Sequence, residues 1–134
     1  MNNIENSSIS WLENTPYSEQ FKDFYYNSDG GVKETQHVFV NPSKIVERYL
    51  KMQTEFFSIN ETGFGTGLNF YCTLQAIQEV TKIEKHRPLH FFSTELFPLS
   101  VEDFNQSVKK FPQFSNIAEQ ICLQYPPAVK GFHR

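Results

Sequence analysis

The stretch that decides the fold is Phe56-Phe57-Ser58-Ile59-Asn60, running into Glu61-Thr62-Gly63-Phe64-Gly65-Thr66-Gly67 and then Leu68-Asn69-Phe70. The first five residues read as a short buried strand. Behind the glycines, Leu68, Cys72, Ala76, Ile77, Val80 and Ile83 trace the apolar stripe of a helix. Strand, glycine loop and helix together open a βαβ unit. In such a loop the glycines permit a tight turn, a close approach of ligand to backbone, and close packing of helix on sheet. The helix start behind them presents backbone N–H groups without intrahelical partners.

Working outward, residues 88–94 read as the next strand, ending at Glu95, 28 residues after Gly67. A carboxylate there can accept hydrogen bonds from both hydroxyls of a ribose. The long helix and the Lys82 to Arg87 loop absorb the extra spacing. Ser100 then caps a helix, with Asp103 as its capping-box partner. Pro112 ends or kinks that helix, and residues 115–124 form a further amphipathic one, stopped at Tyr125-Pro126-Pro127.

Toward the N-terminus, residues 1–15 are rich in Asn, Ser and Glu and read as a loosely held polar tail. The aromatic stretch 21–26 and the alternating stretch 32–40 flank Asn27-Ser28-Asp29-Gly30-Gly31. Two strands about a glycine turn predict a β-hairpin. Asn41-Pro42-Ser43 is expected to open a helix carrying Ile45, Tyr49 and Met52, with Asn41 as its cap. The expected fold is α/β: an incomplete Rossmann-like sheet with an N-terminal β-hairpin. Residues 1–15 would be a tail and residues 16–134 the first portion of one domain, truncated before a third parallel strand.

Composition narrows the class. The chain has 134 residues and a formal charge of −3, with 20% charged and 16% aromatic residues, 14 of them Phe. That excludes a disordered tail, a collagen and a coiled coil. No run of 18 apolar residues exists, and Met1 to Ser10 lacks an apolar signal segment. Two cysteines make no disulfide framework, so a cytoplasmic location is expected. A pI near 5.8 has the wrong sign for gripping nucleic acid by bulk charge; net charge does not exclude a local basic patch, but the Lys109-Lys110 and Lys82 to Arg87 basics are sparse and read as solvated surface.

Three ligand classes compete for the loop. A P-loop needs Lys-Ser or Lys-Thr after the last glycine, where Leu68-Asn69 stands. The dinucleotide fingerprint needs glycine at position 68, which is Leu. The remaining pattern, Glu-x-Gly-x-Gly-x-Gly, resembles the first motif of S-adenosylmethionine-dependent methyltransferases. His37, His86, His90 and His133 show no metal-ligand spacing, so no metal is expected. Cys72, on the helix stripe, reads as core, and His90 as a packed strand residue.

The resemblance sharpens to a family. Residues 61–70 resemble the first motif of the MnmC-type tRNA methyltransferase domain, which makes 5-methylaminomethyl-2-thiouridine at the wobble position. Pro16-Tyr17-Ser18, Phe21, Asp23 and Tyr25 are similar to its N-terminal signature. Glu34-Thr35 with Val38-Phe39, then Arg48, are similar to its next blocks, and Leu89-His90-Phe91 with Glu95 and Phe97-Pro98-Leu99 to its second strand. Gly131 and His133-Arg134 match a block beyond. Asn27 and Ser43 depart from the pattern, where the family favours Ser and Asn.

The resemblance implies S-adenosylmethionine bound by Glu61, Gly63, Gly65, Gly67, Asn69 and Glu95, with Glu61 at the methionine amino group and Glu95 at the ribose. Tyr25 and Glu34 are the target-side candidates. The reaction implied is methyl transfer to the aminomethyl group of a tRNA wobble uridine. The family's Asp-Gly-Phe-x-Pro block, expected to complete the catalytic pocket, does not occur before Arg134. FAD is expected only where an oxidase domain is fused downstream, and an oxidase acting on the same nucleoside is a possible partner. Most tRNA contacts are expected outside this stretch. The alternative reading is a non-catalytic remnant or accessory cofactor-binding module.

Overall fold

The computed structural model describes residues 3–82 and 87–134, so Ile83, His86 and most of the Lys82 to Arg87 loop lie outside the described residues. In chain order come strands β1 (Ile9–Leu12), β2 (Thr15–Ser18) and β3 (Asp23–Phe24), then helix α1 (Gly31–Thr35). A π-helical stretch (Gln36–Val40), α2 (Ile45–Lys51), β4 (Phe57–Thr62), α3 (Leu68–Thr81) and β5 (Leu89–Thr94) follow. The order closes with α4 (Val101–Val108), a 3-10 turn (Pro112–Phe114) and α5 (Ser115–Leu123). The chain divides into a mid-chain unit, Asp29–Thr94, and a terminal unit made of Met1–Ser28 and Glu95–Arg134.

In the mid-chain unit β4 and β5 pair in parallel, with Glu61 opposite Ser93 and Thr62 opposite Thr94. Parallel neighbours need a crossover, and α3 supplies it. Phe57 and Ile59 are buried while Ser58 and Asn60 between them are exposed, as the two-residue period of a strand dictates. α1, the π-helical stretch and α2 all pack with α3. Cys72, Tyr71 and Ile77 of α3 are buried, and so are Ile45 and Tyr49 of α2. The Tyr49 hydroxyl accepts from Arg87 N at 2.8 Å and donates to Arg87 O at 2.9 Å.

In the terminal unit β1, β2 and β3 form an antiparallel sheet. The N-terminal hairpin exists, but its turn is Glu13-Asn14 rather than the glycine stretch. Both residues have positive φ, +50° and +62°, the conformation of a two-residue hairpin loop that matches strand twist. The rest of this unit is helical, with Phe104, Phe114, Leu99, Val108 and Ala118 in its core. Ser100 caps α4 as expected: its Oγ accepts from Asp103 N at 3.0 Å and donates to Asp103 Oδ2 at 2.8 Å.

Three expectations need correction. Residues 32–40 are helical, not a strand. Gly31, Thr35 and Val40 are buried at helical spacing and Val38 is exposed, so packing with α3 overrides the β-branched composition. Asn41 does not cap α2, because residues 41–44 turn first and Lys44, at φ +51°, precedes Ile45. Residues 4–12 of the expected tail are tied down rather than loose. Ile9–Leu12 is a strand, Ile4 N donates to Ala128 O at 2.9 Å, and Ser7 N donates to Pro98 O at 2.9 Å.

Candidate functional site

The glycine loop is built by the way the chain leaves β4. Gly63 N donates to Thr94 O at 2.7 Å, one more rung of the parallel ladder, and the backbone then turns away. Gly63, Gly65 and Gly67 all have positive φ, at +80°, +53° and +74°. Gly67 N donates to Phe64 O at 2.8 Å and closes a tight turn directly before α3. Position 67 requires glycine for a second reason: a Cβ there would lie 2.9 Å from Phe64 Cζ. At Gly63 a Cβ would meet nothing within 4 Å, so the loop's outer side is open space.

Gly67 is the N-cap of α3 and offers no capping side chain. The first helical bond runs from Tyr71 N to Gly67 O at 3.0 Å. The N–H groups of Leu68, Asn69 and Phe70 therefore have no carbonyl four residues back inside the helix. That end of α3 carries partial positive charge.

Glu61 and Asn69 come together here. Asn69 Nδ2 donates to Glu61 Oε2 at 3.2 Å, which fixes the carboxylate from the first turn of α3. Across the ladder from Glu61, Ser93 Oγ is buried and has no hydrogen-bond partner among the described residues. The sequence reading missed Ser93, although strand alternation puts it on the same sheet face as Leu89 and Phe91. One loop thus gathers a held carboxylate, helix N–H groups and an unsatisfied hydroxyl. That set suits a zwitterion, with carboxylate facing ammonium and N–H groups facing a negative group.

Glu95 is the first residue after β5 and packs within the terminal unit. Its Oε1 accepts from Phe97 N at 3.0 Å. The Tyr25 hydroxyl lies 2.6 Å from Ser7 Oγ. Burial pushes the Tyr25 phenol up, the Ser7 contact acts the other way, and the Glu95 charge adds to the rise. Burial likewise raises the Tyr125 phenol, and Glu95 contributes there too. Tyr25 is therefore protonated at neutral pH and acts as a hydrogen-bonding group rather than a base. Sequence offered no sign of Ser7, because its partner lies 18 residues away. Glu34 stands exposed on α1.

Other reactive residues have simpler roles. Cys72 is fully buried, and burial pushes its thiol up to about 11. His90 is exposed on β5 and stacks on Phe56. Among the described residues no group of three His, Cys, Asp or Glu is placed to hold a metal. No helix among them is long and apolar enough to cross a membrane.

No protein-family model matches the chain. Individual relatives do. The chain is 37% identical over 132 residues to the tRNA 5-methylaminomethyl-2-thiouridine biosynthesis bifunctional protein MnmC of Marinomonas sp., covering 98% of this chain and 19% of that protein. The protein of the same name in Methylobacillus flagellatus is 39% identical over 128 residues, covering 96% of this chain and 20% of its own length. That of Acinetobacter baylyi is 41% identical over 120 residues, covering 89% and 19%. The crystal structure of MNMC2 from Aquifex aeolicus superposes with a TM-score of 0.62 at 20% identity, over 95% of this chain and 39% of that one, which shows a shared fold. The chain is a homologue of the MnmC proteins over nearly its whole length, and it spans about one fifth of theirs.

Proposed function

We propose that this chain forms the S-adenosylmethionine-binding part of a tRNA wobble-uridine methyltransferase that works in the cytoplasm. Residues 16–134 would be the first portion of its class I methyltransferase domain. The observation that carries the reading is the glycine loop: three positive-φ glycines between a parallel strand and a helix, with Glu61 held by Asn69. The homology to MnmC supports the same assignment.

The fit to the cofactor rests on three features. The loop backbone leaves open space at Gly63, the first N–H groups of α3 have no intrahelical acceptor, and Ser93 Oγ lacks a partner among the described residues. Glu61 would accept from the methionine ammonium, with Asn69 keeping it oriented. Gly63, Gly65 and Gly67 would let the methionine and ribose lie against the main chain. Glu95 would accept from the ribose hydroxyls.

When bound, the cofactor supplies an electrophilic methyl on a sulfonium. The protein's work is then positioning, since the attacking amine must be neutral and in line. Tyr25, protonated at neutral pH and fixed by Ser7, would orient the target nucleoside by hydrogen bonding, and Glu34 is a second target-side group. FAD would enter only through a fused oxidase domain, and an oxidase acting on the same nucleoside is the partner implied.

Calorimetric titration with S-adenosylmethionine tests the reading. Binding should be saturable, and Glu61→Ala should weaken it by about tenfold or more, the scale of a lost charged hydrogen bond. Absence of saturable binding by a folded chain would sink the proposal. Binding without methyl transfer to tRNA that carries a 5-aminomethyl wobble uridine would assign a cofactor-binding module instead.

A further inference from the structure

One buried hydroxyl beside the glycine loop has no local bonding partner. Ser93 Oγ is buried and makes no hydrogen bond among the described residues. A buried donor left in that state is unfavourable, and native folds carry few of them. Thr73 Oγ1 is buried in the same way. It sits on α3, however, where a threonine hydroxyl can turn to the carbonyl four residues back. Ser93 lies in β5, and an extended strand offers its side chain no such carbonyl.

The ladder sets what Ser93 faces. Its register partner on β4 is Glu61, and side chains paired across neighbouring strands stand on the same sheet face. Phe57 with Leu89 and Ile59 with Phe91 continue that face toward the start of the strands. α3 covers it: Asn69 Nδ2 donates to Glu61 Oε2 at 3.2 Å, and the Phe70 ring meets Phe91 edge-on at 5.0 Å. Glu61 Oε1 is buried, as Ser93 Oγ is. A hydroxyl donor and a carboxylate oxygen thus share one space closed to water, on strands about 4.8 Å apart. That separation is within reach of rotation about the staggered side-chain bonds, with the backbone in place. All these groups belong to the mid-chain unit.

We propose that Ser93 is a positioning residue for Glu61: its hydroxyl donates to the Glu61 carboxylate when that carboxylate takes the ammonium at the methionine end of the cofactor. The inference rests on the cofactor reading above. Asn69 holds the carboxylate from the helix, and Ser93 holds it from the neighbouring strand. A carboxylate offers about four acceptor positions, so two held ones leave the ammonium its own. The hydroxyl is unbonded in the free chain and bonded in the complex. Its hydrogen bond therefore counts toward affinity and not toward the stability of the free chain.

The test is calorimetric titration of this chain and its Ser93→Ala variant with two ligands. One is S-adenosylmethionine; the other is methylthioadenosine, which has the nucleoside but no amino-acid end. Ser93→Ala should bind S-adenosylmethionine about tenfold more weakly, the scale of a hydrogen bond to a charged group, and methylthioadenosine as wild type does. Its denaturant midpoint without ligand should hold or rise, because the variant removes a buried hydroxyl that has no partner. Ser93→Thr, which keeps the hydroxyl, should restore most of the S-adenosylmethionine affinity. With Glu61→Ala in place, Ser93→Ala should cost no further affinity, since the two residues act as one unit. Equal weakening for both ligands, losses that add in the double variant, or an affinity that Ser93→Ala leaves unchanged overturns the proposal while the cofactor reading stands. No saturable binding of S-adenosylmethionine by the folded wild type overturns that reading and this proposal with it.

Discussion

The two units of this chain are held together differently. The mid-chain unit is built from consecutive residues, and its decisive features lie within ten positions of one another: Glu61, the glycines and Asn69. The terminal unit joins the chain's first 28 residues to its last 40. There Tyr26 donates to Ser107 O at 3.1 Å, Lys110 to Thr15 Oγ1 at 2.8 Å, and Trp11 Nε1 to Asp103 Oδ1 at 3.4 Å. Those bonds span 81 to 95 residues. A local turn is specified by the residues that make it, whereas long-range bonds depend on a fold already formed.

The largest test of that contrast is Phe104→Ala. Phe104 is fully buried in the terminal unit, so truncation should cost about 3–5 kcal/mol, read as a fall in the denaturant midpoint. A cost under about 1 kcal/mol would mean that the terminal unit has no specific core. Next is Gly67→Ala in the mid-chain unit. Positive φ and the Phe64 ring together should make it cost about 2 kcal/mol, and cofactor affinity should fall with it. A neutral effect on both would show that the loop geometry is not required.

An intermediate effect comes from pH. Burial pushes the Tyr26 phenol up to about 12 from its ordinary 10.0. The unfolded chain therefore ionises this group first. Its contribution to stability is complete below pH 10.0 and is lost as pH rises toward about 12. Denaturation midpoints across that window, followed with phenolate absorbance, check it. Tyr26→Phe should flatten the decline. The smallest effect expected is that of Ser100→Ala, which removes the α4 cap and should cost about 1 kcal/mol by thermal melt.

The contrast also explains what could be read in advance. The β4–loop–α3–β5 series and the Ser100 cap were legible because each depends on residues near in sequence. The hairpin was expected at Gly30-Gly31, where glycine favours a turn, yet it forms at Glu13-Asn14, whose residues tolerate positive φ less readily. Residues 32–40 carry strand composition, but α3 gives a helical face somewhere to pack. At the candidate site, Glu61 and the glycines were legible as a motif. Ser93 and Ser7 were not, since the importance of each comes from a partner brought by pairing or folding.

By itself the sequence determined the βαβ order, the glycine loop behind Glu61, and the resemblance that homology to MnmC supports, because these rest on residue types at short spacing. Only tertiary structure decided that residues 32–40 are helical, that the N-terminal strands join the C-terminal helices in one unit, and that Ser93 stands opposite Glu61. The physical reason is that burial and partner distance are properties of the packed chain, and no local run of residues carries them.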